Sequence, residues 1–135
     1  MDEFHWSGTS DPAASLAVPE AIRFLQSVGH DRFRDQCHTL AKYAGQQLTE
    51  RLGAIPLARD DEFGTMLTLE LPQLARIQQQ PGTPPSLQLQ LATEFGIEIP
   101  IVDWQDRMHI RVSCHLYNTP SQIHRLVEVL EGLTL

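Results

Sequence analysis

Cysteine, lysine and aromatic side chains are what this 135-residue chain has least of. Cys37 and Cys114 are too few for a disulfide framework, and each falls inside or at the edge of an expected element, so both are expected to be reduced thiols. Basic charge is scarce too. Ten Lys and Arg face 17 Asp and Glu, for a net charge of −7, which argues against a phosphate-backbone partner and so against nucleic acid. No apolar run approaches the roughly 20 residues of a spanning helix, so no membrane segment is expected. The start, Met1-Asp2-Glu3-Phe4-His5-Trp6, lacks the basic flank and apolar stretch of a signal peptide, and a cytoplasmic location follows as the expectation. What the chain does have is 41% hydrophobic residues, enough for a compact soluble core at a length that suits one domain.

Residues 1–11 carry no periodicity, and order is expected from Pro12 onward. Ser10 or Asp11 can cap a first turn with Pro12 at its first position, and Pro19 can open a helix in the same way. Ala17, Ala21, Phe24 or Leu25, and Val28 recur at helical spacing until Gly29. Asp31 can cap a second helix, in which Phe33, Cys37, Leu40, Ala41, Ala44, Leu48 and Leu52 fall three or four apart until Gly53. Residues 54–58 suit a short edge strand, because Pro56 cannot donate to a ladder. Leu67, Leu69 and Leu71 alternate with Thr68 and Glu70 as in a half-buried strand that Pro72 stops. Residues 78–85 read as a loop.

From Ser86 two patterns compete. Leu87, Leu89 and Leu91 alternate like a strand, while Leu87, Leu91 and Phe95 share one helix face, and a helix capped by Ser86 and ended by Gly96 is expected. Residues 97–102 suggest a strand interrupted by Pro100, followed by a turn at 103–106 and a strand at 107–113. In that last strand Met108, Ile110 and Val112 point to one face, so His109, Arg111 and Ser113 point to the other. Thr119 and Pro120 open a final helix with Ile123, Leu126, Val127, Leu130 and Leu133 as its stripe. The order α-α-β-β-α-β-β-α predicts an α+β fold, a small and mostly antiparallel sheet with helices packed on one face.

Three features carry chemistry. Arg111, on the face away from the core, can clamp a carboxylate through two parallel hydrogen bonds, or else pair with a surface acid. Gly8 and Thr9, just ahead of a helix, offer amides and a hydroxyl to an anion. Cys114 beside His115, with His109 nearby, invites a metal or nucleophile reading, but zinc sites use two spaced ligand pairs and neighbours in a strand point apart, so no metal is expected. Cys37 lies on a core stripe and reads as a small buried hydrophobe.

Taken together, Phe4 to Asp11 with Leu16 to Phe24, Met66 to Pro72, Gly96 to Ile101, and Ile110-Arg111-Val112-Ser113 followed by Tyr117-Asn118-Thr119 resemble the class V aminotransferase superfamily of pyridoxal-phosphate (PLP) enzymes, in its isopenicillin-N-epimerase-like branch. The resemblance spans nearly the whole chain and points to the C-terminal small domain, residues 12–135, with residues 1–11 as an interdomain segment. It implies a homodimer with the active site at the subunit interface, Thr9 aided by Gly8 on the PLP phosphate of the neighbouring subunit, and Arg111 on the α-carboxylate of an amino-acid substrate.

The Schiff-base lysine of such enzymes lies in the large domain, and Lys42, within a helix, is no substitute. The resemblance therefore implies roughly 200 or more residues ahead of residue 1, and a fragment that is inactive alone. Two departures stand out. Residues 72–106 hold no cysteine where desulfurases of the superfamily carry a reactive one, and Ser10 stands where many members have arginine. A reading from another class is a stand-alone, non-enzymatic α+β binding domain.

Overall fold

The structure is a computed structural model and describes residues 11–74 and 87–134. Gly8, Thr9, Ser10, the loop at 78–85 and Ser86 lie outside the described residues. The chain divides into two compact units, residues 1–33 and 34–135.

In the first unit, α1 runs from Ala13 to Val28 as one helix. Asp11 accepts the Ala13 N–H at 2.9 Å, which satisfies one orphan donor of the first turn. Pro19 does not open a helix but sits inside α1, where the turn before it keeps going without one amide bond. Leu16, Val18, Ile22 and Phe24 are all exposed, and α1 buries none of its residues. Gly29, at φ 89°, closes the helix with its N–H on the Leu25 carbonyl.

The second long helix, α2, spans His30–Leu52, two residues earlier than a cap at Asp31 predicts. Asp31 lies in its first turn, where a carboxylate faces the positive end of the helix dipole. The predicted stripe is buried at Cys37, Ala41, Ala44, Leu48 and Leu52, and Gly45 joins it.

In the second unit, four strands form one antiparallel sheet in the order β1-β2-β4-β3. They are β1 (Ile55–Pro56), β2 (Met66–Glu70), β3 (Ile101–Trp104) and β4 (Arg107–Ser113). Proline keeps β1 at an edge, as its missing N–H requires. The segment 97–100 does not join the sheet, and the expected four-residue turn shrinks to Gln105 and Asp106, both at positive φ (52° and 59°). Two consecutive left-handed residues twist a two-residue hairpin in the same sense as its strands. At the other edge of the sheet the Ile101 N–H is taken by Gln88 Oε1 at 3.1 Å.

Helix α3 covers Leu87–Phe95 and α4 covers Pro120–Thr134. Leu87 and Leu91 are buried while Leu89 is exposed, so the helical period wins over the alternating one. Thr119 is capped in return rather than capping: Gln122 Oε1 accepts its N–H at 3.0 Å, one half of a capping box. The core gathers Ala41, Ala44 and Leu48 of α2, Leu87 and Leu91 of α3, and Ile123, Leu126, Val127 and Leu130 of α4 against Leu67, Leu69, Met108, Ile110 and Val112 of the sheet. This is the α+β arrangement expected, helices on one face, and it leaves the opposite sheet face uncovered among the described residues.

Candidate carboxylate site on the open sheet face

Register decides what meets on that face. The β2–β4 ladder sets Thr68 opposite Arg111 and Glu70 opposite His109, and the β3–β4 ladder sets Val102 opposite His109 and Trp104 opposite Arg107. Arg107 and Arg111 are therefore the two diagonal neighbours of Glu70, both within reach of a long side chain. Glu70 pairs with Arg107, Oε2 to Nη1 at 3.1 Å. Arg111 is exposed, and its guanidinium makes no hydrogen bond or ion pair among the described residues. Its backbone is held by its own N–H on the Pro100 carbonyl at 3.1 Å. A rigid strand thus presents an always-charged fork of donors with no acid assigned to it, which suits an external carboxylate.

Two cavities adjoin Arg111. One, of about 520 Å³, opens where β3 ends and β4 continues, between Glu98–Pro100, Ser113 and the start of α4 with Gln122 and Arg125. Arg125 is occupied there, its Nη2 donating to the Phe95 carbonyl at 2.8 Å, which satisfies the end of α3. The other, of about 240 Å³, lies on the open face between Leu57, Thr68, Val102, Trp104, His109 and Arg111. A larger cavity of about 660 Å³ lies away from Arg111, between α2 and residues 115–120; its charged group is Asp35, which repels a carboxylate.

The segment after β4 has a structural explanation. Asn118 Oδ1 accepts the His115 N–H at 2.8 Å, the Asn118 N–H bonds the His115 carbonyl, and Asn118 Nδ2 donates to Gln122 at 3.2 Å. His115 stacks on Tyr117 with ring centroids 4.8 Å apart. This closed turn converts the end of the arginine strand into the start of α4. Cys114 is buried, and burial, with a smaller contribution from the Cys37 charge, pushes its thiol up to about 11. Burial also raises the Cys37 thiol. Neither is a nucleophile in this state. Among the described residues no three His, Cys, Asp or Glu side chains cluster as metal ligands, and no helix is long and apolar enough to cross a membrane. Lys42 is tied to Asp60, Nζ to Oδ2 at 2.8 Å.

Strand parity put Arg111 on the outward face, where it lies exposed, and missed its surroundings. His109 is 3% exposed although it faces away from the core. Its ring lies 5.9 Å from that of Trp104, and its Nδ1 is enclosed without a hydrogen-bond partner among the described residues. The signal was the turn length: a two-residue turn at 105–106 puts Trp104 and His109 on one face, whereas a four-residue turn leaves Trp104 in a loop.

No family model matches the chain. It is 35% identical over 130 residues to isopenicillin N epimerase of Amycolatopsis lactamdurans, which takes in 94% of this chain and 31% of that protein. It is 28% identical to a probable L-cysteine desulfhydrase of Arabidopsis thaliana, over 97% of this chain and 30% of the relative. In structure it superposes on a cysteine desulfurase from Thermococcus onnurineus with a TM-score of 0.70 at 18% identity, over 94% of this chain and 32% of that one. The chain is a homologue of the epimerase and desulfhydrase, has the α+β fold of this part of the desulfurase, and spans about a third of the length of the curated relatives it matches.

Proposed function

We propose that residues 12–135 are the C-terminal small domain of a PLP-dependent, class V aminotransferase-like enzyme acting on an amino acid, and that residues 1–11 connect it to a large domain. The observation that carries this reading is Arg111, an unpaired guanidinium on a rigid strand whose neighbouring acid is already engaged by Arg107.

The residues described fit a substrate receptor and do not fit the cofactor itself. Lys42, the single lysine, is held by Asp60 on α2, so a Schiff-base lysine must come from elsewhere. When bound in the complete enzyme, PLP supplies the electron sink for bond changes at the α- or β-carbon, such as transamination, epimerisation or carbon–sulfur elimination. Arg111 grips the α-carboxylate through two parallel N–H···O bonds. With both carboxylate oxygens fixed, rotation of the amino acid is restricted to the axis through that group, which orients the bond to be broken. Gly8 and Thr9 contribute to the PLP phosphate site of the neighbouring subunit in a cytoplasmic homodimer. Alone, the 135 residues are inactive. Neither buried thiol serves as a sulfur acceptor.

Two measurements test this reading. The gene should encode roughly 200 or more residues ahead of residue 1, a lysine among them; a reading frame that opens at Met1 overturns it. In the complete enzyme, Arg111→Ala should weaken amino-acid binding by about ten- to a hundredfold while PLP affinity stays within about twofold. Equal losses of both, or of neither, remove Arg111 from the role.

A further inference from the structure

The cavity of about 240 Å³ on the open sheet face is too small for a whole ligand and large for a trapped water, whose share of volume is about 30 Å³. Its walls are mostly hydrocarbon: Leu57, Val102 and Trp104, each about half exposed. Arg111 stands on its rim. His109 adds the second observation: its side chain is 97% removed from solvent and its Nδ1 has no hydrogen-bond partner among the described residues, an uncommon state for a buried polar group. A half-turn of the imidazole about Cβ–Cγ exchanges Nδ1 with Cδ2 and brings that nitrogen to a different side of the ring.

We propose that this cavity is the side-chain subsite of the Arg111 receptor, and that it selects carboxylic acids with an extended, largely hydrocarbon chain over alanine- or cysteine-sized ones. The inference rests on Arg111 as carboxylate receptor. With the carboxylate on the guanidinium, the rest of the ligand lies along the sheet over His109 and Val102, under the Trp104 indole. The hairpin fixes this wall: Trp104 sits directly before the Gln105–Asp106 turn and pairs with Arg107, so its ring belongs to the face that carries Arg111. His109 supplies a hydrogen-bonding atom to a heteroatom in the ligand chain. A cavity with few polar groups, Thr68 and His109, among apolar walls discriminates by length first and by a heteroatom second.

The test is a titration of the full-length protein with acetate, butanoate and hexanoate, followed by amide and imidazole NMR shifts. A fully buried methylene is worth about fourfold in affinity, and a half-open cavity about half of that free energy, so hexanoate should bind at least about tenfold more tightly than acetate. The His109 ring signals should move with hexanoate and stay still with acetate. Trp104→Ala should flatten the series to within about threefold. Leu57→Ser, on the opposite wall, should do the same, which guards against a misfolded first variant. Arg111→Ala should weaken all three acids and keep the remaining slope.

A flat series in the unaltered chain overturns the subsite, as does a slope indifferent to both wall variants. If Arg111→Ala alone weakens binding, the receptor reading stands and the subsite falls. If the slope responds to Trp104 and Leu57 but binding ignores Arg111, the receptor reading falls and takes the proposed orientation with it.

Discussion

Gly45 of α2 faces Leu67 of β2 so closely that a Cβ built on residue 45 would lie 2.6 Å from Leu67 Cδ2. Glycine in a helix interior costs about 1 kcal/mol relative to alanine, so an exposed site would gain from the exchange. Here the overlap decides. Gly45→Ala should lower stability by about 1 kcal/mol net, and Gly45→Val by about 3 kcal/mol, in chemical denaturation. The double variant Gly45→Ala with Leu67→Ala should lose less than the sum of its parts, since the truncation removes the atom that clashes. A Gly45→Ala protein more stable than its parent would refute the contact.

Glu70 can reach either of two arginines and holds Arg107. Arg107→Ala therefore releases an acid beside Arg111, and carboxylate binding should weaken severalfold although residue 107 never touches the ligand. Adding Glu70→Ala should restore it. Titration of both variants with hexanoate reads the effect, and an Arg107→Ala chain that binds as tightly as the original would show that Glu70 stays away from Arg111.

Cys37 and Cys114 are 1% and 4% exposed. Neither should react with a thiol reagent until the chain unfolds, when two equivalents should appear. The Cys114 thiol sits at about 11 in the folded chain against 9.0 for an ordinary thiol. A raised acid pKa leaves stability intact below about pH 9 and removes it as pH climbs toward 11, because only the unfolded chain gains by ionising there. The loss should reach at most about 2–3 kcal/mol. Cys114→Ala should flatten that part of the stability profile, and a variant with the same alkaline slope would assign the loss to other groups.

At the hairpin tip, Gln105 and Asp106 adopt left-handed backbone that side chains disfavour by about 1–2 kcal/mol per residue, less for Asp than for Gln. Asn-Gly is the pair that suits such a turn. Gln105→Asn with Asp106→Gly should stabilise the chain by about 1 kcal/mol and raise its melting temperature by a few degrees. No rise would mean that the turn relaxes in solution.

The elements were legible where one period dominated. The stripe of α2, the alternation of β2 and β4, and the stripe of α4 each named most of their buried residues, while Phe33, Leu40 and Leu133 are only half-buried and His109 is buried against the alternation. Leu87, Leu89 and Leu91 supported two patterns, and only the pairing of buried Leu87 and Leu91 separates them. Asp31 and Pro19 misled because capping and helix-opening preferences are local, whereas the helix boundaries follow Gly29. Arg111 was legible from strand parity and resemblance. Its isolation was not, because which of two diagonal arginines takes Glu70 depends on side-chain reach. The cavity stayed hidden for the same kind of reason: it depends on two residues of turn rather than four.

The uncovered apolar side chains of α1 bear on how the chain behaves in a tube. Leu16, Val18, Ile22 and Phe24 offer adhesive surface, while a net charge of −7 holds copies apart over a distance set by the ionic atmosphere. At about 0.01 M salt that atmosphere extends some 30 Å, and at 1 M only about 3 Å. Colloidal stability of these 135 residues is thus a contest between a short-ranged attraction on one helix and a long-ranged repulsion from the whole, and dissolved salt chooses the winner.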